Sequence, residues 1–362
     1  MFLRLFRSLD WVLTGLIVAV LGLGLATFYT MGPDAHGVFV RHATFIFLGI
    51  LVMFAVSFFD YRIFKNHPLP SISLYILAVI LLGLALASQE IRGSSAWLKF
   101  MGFQFEPSEL AKLALLIVFA KYFSQKHVEI YNYKHLIVSG MYLAMPLGIT
   151  LLQPDLGSVI VYVILWFSML MAAGIKRKHL LALLMMGTVV ASFGWFLVLK
   201  PYQRTRIVSF INPYLDPRGS GYNTIQSRIT FGSGLWTGSY FSKRNETTQV
   251  VVPEPYTDFT FATYAQKFGL IGVILILTLL MLLLYRIVTI AFKADNNFAK
   301  LYGLGFAVIL GTHILVNGGM NMGILPITGI PFPLVSHGGS FLLTLMAGFG
   351  ILQNIQLRST SN

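Results

Sequence analysis

Acidic side chains are scarce in this sequence, 13 Asp and Glu among 362 residues, and one stands where chemistry is plausible. Asp258 lies in Val252-Pro-Glu-Pro-Tyr-Thr-Asp-Phe-Thr-Phe-Ala262, where a polar stretch gives way to an apolar one. A carboxylate at such a seam touches water on one side and lipid headgroups on the other, and partial desolvation moves it towards a useful general base. Position alone leaves two readings. One is a base; the other is the N-cap of a helix starting near Phe259, for which Thr257 and Asp258 are both suited.

Other groups share that kind of edge. Glu109 and Lys112, in Glu106-Pro-Ser-Glu-Leu-Ala-Lys112, are three apart and so share one helix face. They read either as a structural ion pair that lets a lysine be buried or as a cation facing a cavity that takes an anion. Asp155, in Gln153-Pro-Asp-Leu-Gly157, suits an N-cap after a short turn. Arg204 and Arg206, in Pro201-Tyr-Gln-Arg-Thr-Arg206, are forks suited to phosphate or anchors at a membrane interface. Ser336, His337 and Ser340 lie in a run holding three prolines and four glycines, residues 321–340. Such a run cannot be a regular helix, and at membrane depth it survives only packed in protein or lining a wet cavity. No acid partner near Ser336 and His337 supports a nucleophile pair. The chain has neither metal-ligand spacing nor a phosphate-binding P-loop, so it does not itself consume ATP.

Composition sets the elements that must carry these groups. The chain is 56% hydrophobic and only 11% charged, with mean hydropathy +0.75. Soluble domains carry about 25% charged residues, so a soluble enzyme, a disordered tail and a fibrous repeat are excluded. Lys and Arg exceed Asp and Glu by 13, and in so apolar a chain that excess serves topology and anionic lipid rather than nucleic acid. Cysteine is absent, which removes disulfides and thiolate metal sites.

Ten apolar runs are long enough to cross a bilayer: 11–30, 43–59, 71–88, 107–123, 136–152, 156–174, 180–199, 261–287, 301–317 and 338–355. Lipid offers backbone groups no partners, so each is a helix. The expected fold is therefore an all-α polytopic membrane protein with ten transmembrane helices, one integral membrane domain over residues 1–362. Placing the N-terminus in the cytoplasm leaves only Arg41, Arg92 and Lys99 in short outer loops and 14 basic residues in inner segments. That bias puts both termini inside. Residues 200–260, between the seventh and eighth spans, then form a large extracytoplasmic loop, whose aromatic and apolar stretches predict folding against the helices.

Several motifs coincide in order. Arg92-Gly-Ser-Ser-Ala-Trp97, Pro107-Ser-Glu-Leu-Ala-Lys112, Gln153-Pro-Asp-Leu-Gly157 and Arg204–Phe210 with Asn212-Pro213 are followed by Thr257-Asp-Phe-Thr-Phe-Ala262, Leu325-Pro-Ile-Thr-Gly-Ile-Pro-Phe-Pro333 and Ser336-His-Gly-Gly-Ser340. Together they resemble the SEDS family of RodA, FtsW and SpoVE proteins, with the short tails of the RodA branch. Ala96 stands where the family commonly has Arg, and His337 where it commonly has Tyr.

The resemblance implies a peptidoglycan glycosyltransferase that polymerises lipid II at the outer face of the bacterial plasma membrane, for elongation and shape. It implies Asp258 as the catalytic carboxylate. Arg92, Trp97, Glu109, Lys112, Asp155, Arg204, Arg206, Ser336 and His337 are the expected substrate-binding residues. It also implies a class B penicillin-binding protein as partner. Acceptor deprotonation needs one base, and a diphosphate leaving group needs cations rather than a second acid. A divalent cation would suit the diphosphate, although no dedicated cage for one is visible. Two alternatives remain, a transporter that flips lipid II and a non-catalytic scaffold of the cell-wall synthesis complex. A flippase calls for charges near the bilayer middle, whereas those here cluster at one edge.

Overall fold

The computed structural model describes residues 9–88, 96–100, 103–126, 133–193, 201–219, 221–242 and 252–359. The chain is predominantly helical. In order, the described elements are α1 (Trp11–Thr30), α2 (His36–Ser57), the short α3 (Arg62–Asn66), α4 (Pro68–Leu86), and a hairpin of β1 (Leu98–Phe100) and β2 (Phe103–Phe105). Then follow α5 (Pro107–Lys126), α6 (Tyr133–Leu152), α7 (Leu156–Ala172), α8 (Arg177–Phe193), α9 (Pro201–Ile211), α10 (Tyr222–Ser233), α11 (Gly238–Phe241), α12 (Thr260–Lys293), α13 (Asn297–Asn321) and α14 (Gly339–Ser359). The two strands pair antiparallel, Leu98 opposite Phe105.

Among the described residues seven helices are long and apolar enough to cross a membrane: α1, α2 with the turn before it, α4, α6, α12, α13 and α14. The other three expected runs fall short for visible reasons. Helix α5 has 20 residues but spends positions on Glu109 and Lys112, whereas α7 and α8 have 17 residues each. The seventh run was expected to reach residue 199, and residues 194–200 lie outside the described ones.

Two helices begin before their apolar runs for different reasons. Pro68 opens α4 at a position where a missing N–H costs nothing. Asn296 accepts from the Ala299 N–H at 3.0 Å and starts α13 four residues before the apolar run.

Both described ends of the chain lie at one end of the bundle. The Asp10 N–H donates to Gln353 Oε1 at 2.8 Å. Asp10 also caps α1 and takes 2.7 Å contacts from Arg286. Asp60 pairs with Arg358 at 3.1 Å nearby. Successive long helices alternate direction, so α1, α4, α6 and α13 finish at the opposite end, where α2, α5, α7, α12 and α14 begin.

Within the connection between α8 and α12, the described helices α10 and α11 pack against α12 at that opposite end. Helix α12 breaks at Gly269 (φ 66°, ψ −167°), a backbone region open essentially to glycine alone. There the Leu270 and Ile271 N–H groups donate to the carbonyls of Leu235 and Trp236, at 2.8 and 3.2 Å. A Cβ on Gly269 would lie 2.4 Å from the Gly238 nitrogen. The kink thus releases two backbone donors that dock the α10–α11 connection. Helix α10 is tied to the end of α13 through Ser227 Oγ to Asn321 O at 2.8 Å and Arg228 Nη2 to Gly323 O at 2.7 Å.

Candidate active site

The site is built where residues 253–259, the end of α13 and the segment 322–338 meet. Helix α12 starts at Thr260 with Phe259 as its N-cap residue, and no side chain caps it. The helix therefore takes Phe259, not Thr257 or Asp258, as its N-cap residue. Asp258 is half-buried, and its Oδ2 faces Gly329, lying 3.7 Å from where a Cβ there would sit.

Asp258 is held through its main chain. Its carbonyl accepts from Asn317 Nδ2 and Asn321 Nδ2, both at 3.0 Å. Asn317 also donates to Ile330 O at 2.7 Å, and Asn321 Oδ1 accepts from the Ala262 N–H at 3.0 Å. Both asparagines are fully buried. Leaving such a carbonyl unpaired would cost about 1–3 kcal/mol. The seam is closed from the other side as well. Ser336 Oγ donates to Thr257 O at 2.7 Å and accepts from the Phe332 N–H at 3.0 Å, while the His337 N–H donates to Tyr256 O at 2.8 Å. Phe332 stacks on Phe261 with centroids 4.5 Å apart. Ser336 and His337 are thus fasteners of the Asp258 segment, with no acid–nucleophile geometry about them.

The irregular segment matches its proline-rich sequence. Phe332, Leu334, Val335 and Ser336 are buried in protein, and Leu334 sits at φ 65°, the kind of local strain found around functional sites. The His337 ring packs among Phe28, His42 and Phe45. Burial, and then the Arg41 charge, hold its pKa below the usual histidine value.

The Glu109–Lys112 pair is a buried ion pair at 2.8 Å, each side chain 2% exposed. The Lys112 Nζ lies 3.3 Å from His313 Nε2, and His313 Nδ1 lies 3.1 Å from Pro331 O. A small, mainly apolar cavity adjoins the pair, lined by Phe306, Phe341, Thr344 and Leu345 besides the two ions. That is the structural version of the two readings of Lys112, since a diphosphate would meet an ammonium already sealed between a carboxylate and an imidazole.

Asp155 caps α7, accepting from the Ser158 N–H at 3.0 Å. A Cβ on Gly157 would lie 2.8 Å from Thr328 O, so the start of α7 abuts the segment that faces Asp258. Glu106, which the sequence had not marked, precedes α5. Its N–H donates to Ser340 Oγ at 3.2 Å, and Oε1 accepts from Ser108 Oγ at 2.9 Å. Burial, with the Glu109 and Asp155 charges, pushes its pKa up to about 8.

The remaining expectations are placed as follows. Trp97 is half-buried beside β1, its carbonyl accepting from Ser88 Oγ at 2.9 Å. Arg204 is half-buried on α9, and Arg206 lies on the same helix. Arg92 lies outside the described residues. No group of three or more His, Asp or Glu able to hold a metal ion occurs among the described residues, so no step is assigned to a divalent cation.

Sequence reasoning missed the face of α13 made by His313, Asn317 and Asn321. The signal was present: three polar residues at intervals of four in an otherwise apolar run fall on one helix stripe.

Comparison with known proteins bears on what this arrangement does. A family model, FtsW/RodA/SpoVE, described as cell cycle protein, matches residues 3–361. Among curated relatives, the peptidoglycan glycosyltransferase MrdB of Escherichia coli K12 is 32% identical over 348 residues, covering 96% of this chain and 93% of that one. A probable peptidoglycan glycosyltransferase FtsW of Geobacter metallireducens is 32% identical, covering 88% and 84%. Among solved structures, a chain of a peptidoglycan synthase complex described as coordinating polymerization and crosslinking superposes with TM-score 0.85 at 30% identity, covering 98% and 99%. The rod shape determining protein RodA of Thermus thermophilus superposes with TM-score 0.72 at 29% identity, covering 96% of each chain.

Proposed function

Because the chain belongs to the FtsW/RodA/SpoVE family, we propose that Asp258 is the base of a glycosyl transfer from lipid II. The protein is a peptidoglycan glycosyltransferase and a multi-pass plasma membrane protein. In the proposed reaction the 4-hydroxyl of an acceptor GlcNAc attacks C1 of a donor MurNAc. Asp258 takes the hydroxyl proton, the new C1–O4 bond forms, and the bond from C1 to undecaprenyl diphosphate breaks with inversion. Diphosphate is a good leaving group, so cations suffice where a glycosidase would need a second carboxyl.

The observation that carries this reading is the mounting of Asp258. Its carbonyl is pinned by Asn317 and Asn321 while its side chain stands half-buried against Gly329. A fixed main chain and a semi-desolvated carboxylate are what a positioned base requires. Arg92, Arg204 and Arg206 are the proposed diphosphate cations. The buried Lys112, with Glu109, is assigned to positioning instead. Ser336, His337, Trp97 and Asp155 shape the walls around the sugar.

The same reading includes ten spans, both termini in the cytoplasm, the 200–260 loop outside, and a class B penicillin-binding protein as partner. Purified protein in vesicles with labelled lipid II tests it against the transporter alternative. Glycan polymer on the side bearing the loop is the expected product. Label crossing the bilayer with no polymer formed would favour a flippase.

A further inference from the structure

We infer that His313 is a positioning residue for this reaction, carrying the placement of the buried Glu109–Lys112 pair across to the segment that faces Asp258. The inference rests on the reading of Asp258 as the base.

The chemistry of the contacts fixes how His313 works. An ammonium only donates, so at 3.3 Å from Lys112 Nζ the His313 Nε2 accepts. Its proton is then on Nδ1, which donates to Pro331 O at 3.1 Å. The other tautomer would set N–H against N–H and a lone pair against a carbonyl oxygen. The ring has no freedom to escape this arrangement. It is fully buried and stacks on Phe341 with centroids 4.6 Å apart.

Pro331 has no N–H, so its carbonyl is its only backbone hydrogen-bonding group, and His313 occupies it. The neighbouring carbonyl of Ile330 is held by Asn317, the same amide that holds Asp258 O. Gly329, one residue further back, faces the Asp258 carboxyl. Three successive groups on one face of α13 therefore set the distance between Asp258 and the wall opposite it. His313 alone among them is referenced to α5, through an ion pair that cannot move without exposing a buried charge. Losing the His313 bond would free Pro331 and let that wall drift. A misplacement of about 1 Å can cost about 100-fold in rate.

The test compares His313→Leu and His313→Gln with Asp258→Asn in a polymerisation assay on purified protein and lipid II, with thermal unfolding in parallel. Leucine fills similar space and bonds to nothing. A glutamine amide offers one acceptor and one donor at about the spacing of the imidazole nitrogens. The expected result for His313→Leu is a fall in kcat of about 10-fold or more with little change in KM. His313→Gln should recover most of that rate. Wild-type kcat in folded His313→Leu would overturn the inference, as would a His313→Gln protein that folds and is as slow as the leucine variant. If His313→Leu does not fold, the glutamine variant decides alone: a folded His313→Gln protein with kcat about 10-fold or more below wild type overturns the inference. Loss of the inference with Asp258→Asn inactive leaves the base assignment standing, whereas polymerisation by Asp258→Asn removes the reaction scheme itself.

Discussion

The side-chain amide of Asn321 donates to the backbone carbonyl of Asp258 at 3.0 Å, across 63 residues of sequence. Asn317, one turn earlier on the same helix, donates to the same oxygen at the same distance. Two buried donors on one carbonyl hold the Asp258 main chain firmly, although its side chain is only half-buried. On the proposed reading the base is positioned by its backbone, with the carboxyl left half-buried.

Asn317→Leu should strand the buried Ile330 carbonyl, at about 1–3 kcal/mol if nothing replaces the amide, and leave the Asp258 carbonyl to the Asn321 amide alone. The expected outcome is a lower unfolding temperature together with a fall in polymerisation rate larger than that of a surface substitution. Thermal unfolding in detergent and initial rates on lipid II measure both.

Glu106 gives a signed dependence on pH. Its folded pKa, near 8, stands above the ordinary carboxylate value, so the folded protein keeps a proton that the unfolded chain has released. That contribution is fully present below the unfolded value and is lost as pH rises towards about 8. Stability should decline across this window in the wild type. Glu106→Gln should flatten the decline, with the two proteins closest at about pH 5 and furthest apart near pH 8. Unfolding temperatures across that range check it.

Gly269→Ala should loosen the long connection from the helices. The substitution forces a side chain into φ 66° and ψ −167°, with its Cβ 2.4 Å from Gly238 N, at about 1–3 kcal/mol for the backbone alone. Faster proteolytic nicking within residues 200–260, with the helical bundle retained, is the expected outcome. Limited proteolysis followed by mass analysis reads it.

Much of the site was legible because its residues break a rule. Asp258 stood out where polar and apolar sequence meet. The 322–338 segment announced itself through three closely spaced prolines, and Glu109 and Lys112 through a spacing of three in an apolar run. What the sequence left open was which partner each group takes. Asp258 and Thr257 are good caps by type, yet the turn before α12 leaves Phe259 at that position. Lys112 could as well have met an anion as a histidine, because nothing local decides which of two distant helices packs on α5. The His313, Asn317 and Asn321 stripe was readable at intervals of four, but its function depends on carbonyls belonging to a loop with no periodic pattern. Glu106 looked like an ordinary acid before a helix, and burial beside Glu109 and Asp155 changes its chemistry.

The most direct measurement is glycan-strand formation from lipid II by purified wild-type protein and by Asp258→Asn, with folding and lipid II binding followed alongside. Removing a general base should lower the rate by about 100- to 10,000-fold, with unfolding temperature and binding close to wild type. Strand synthesis by a folded Asp258→Asn protein at the wild-type rate would contradict the assignment of Asp258 as the base.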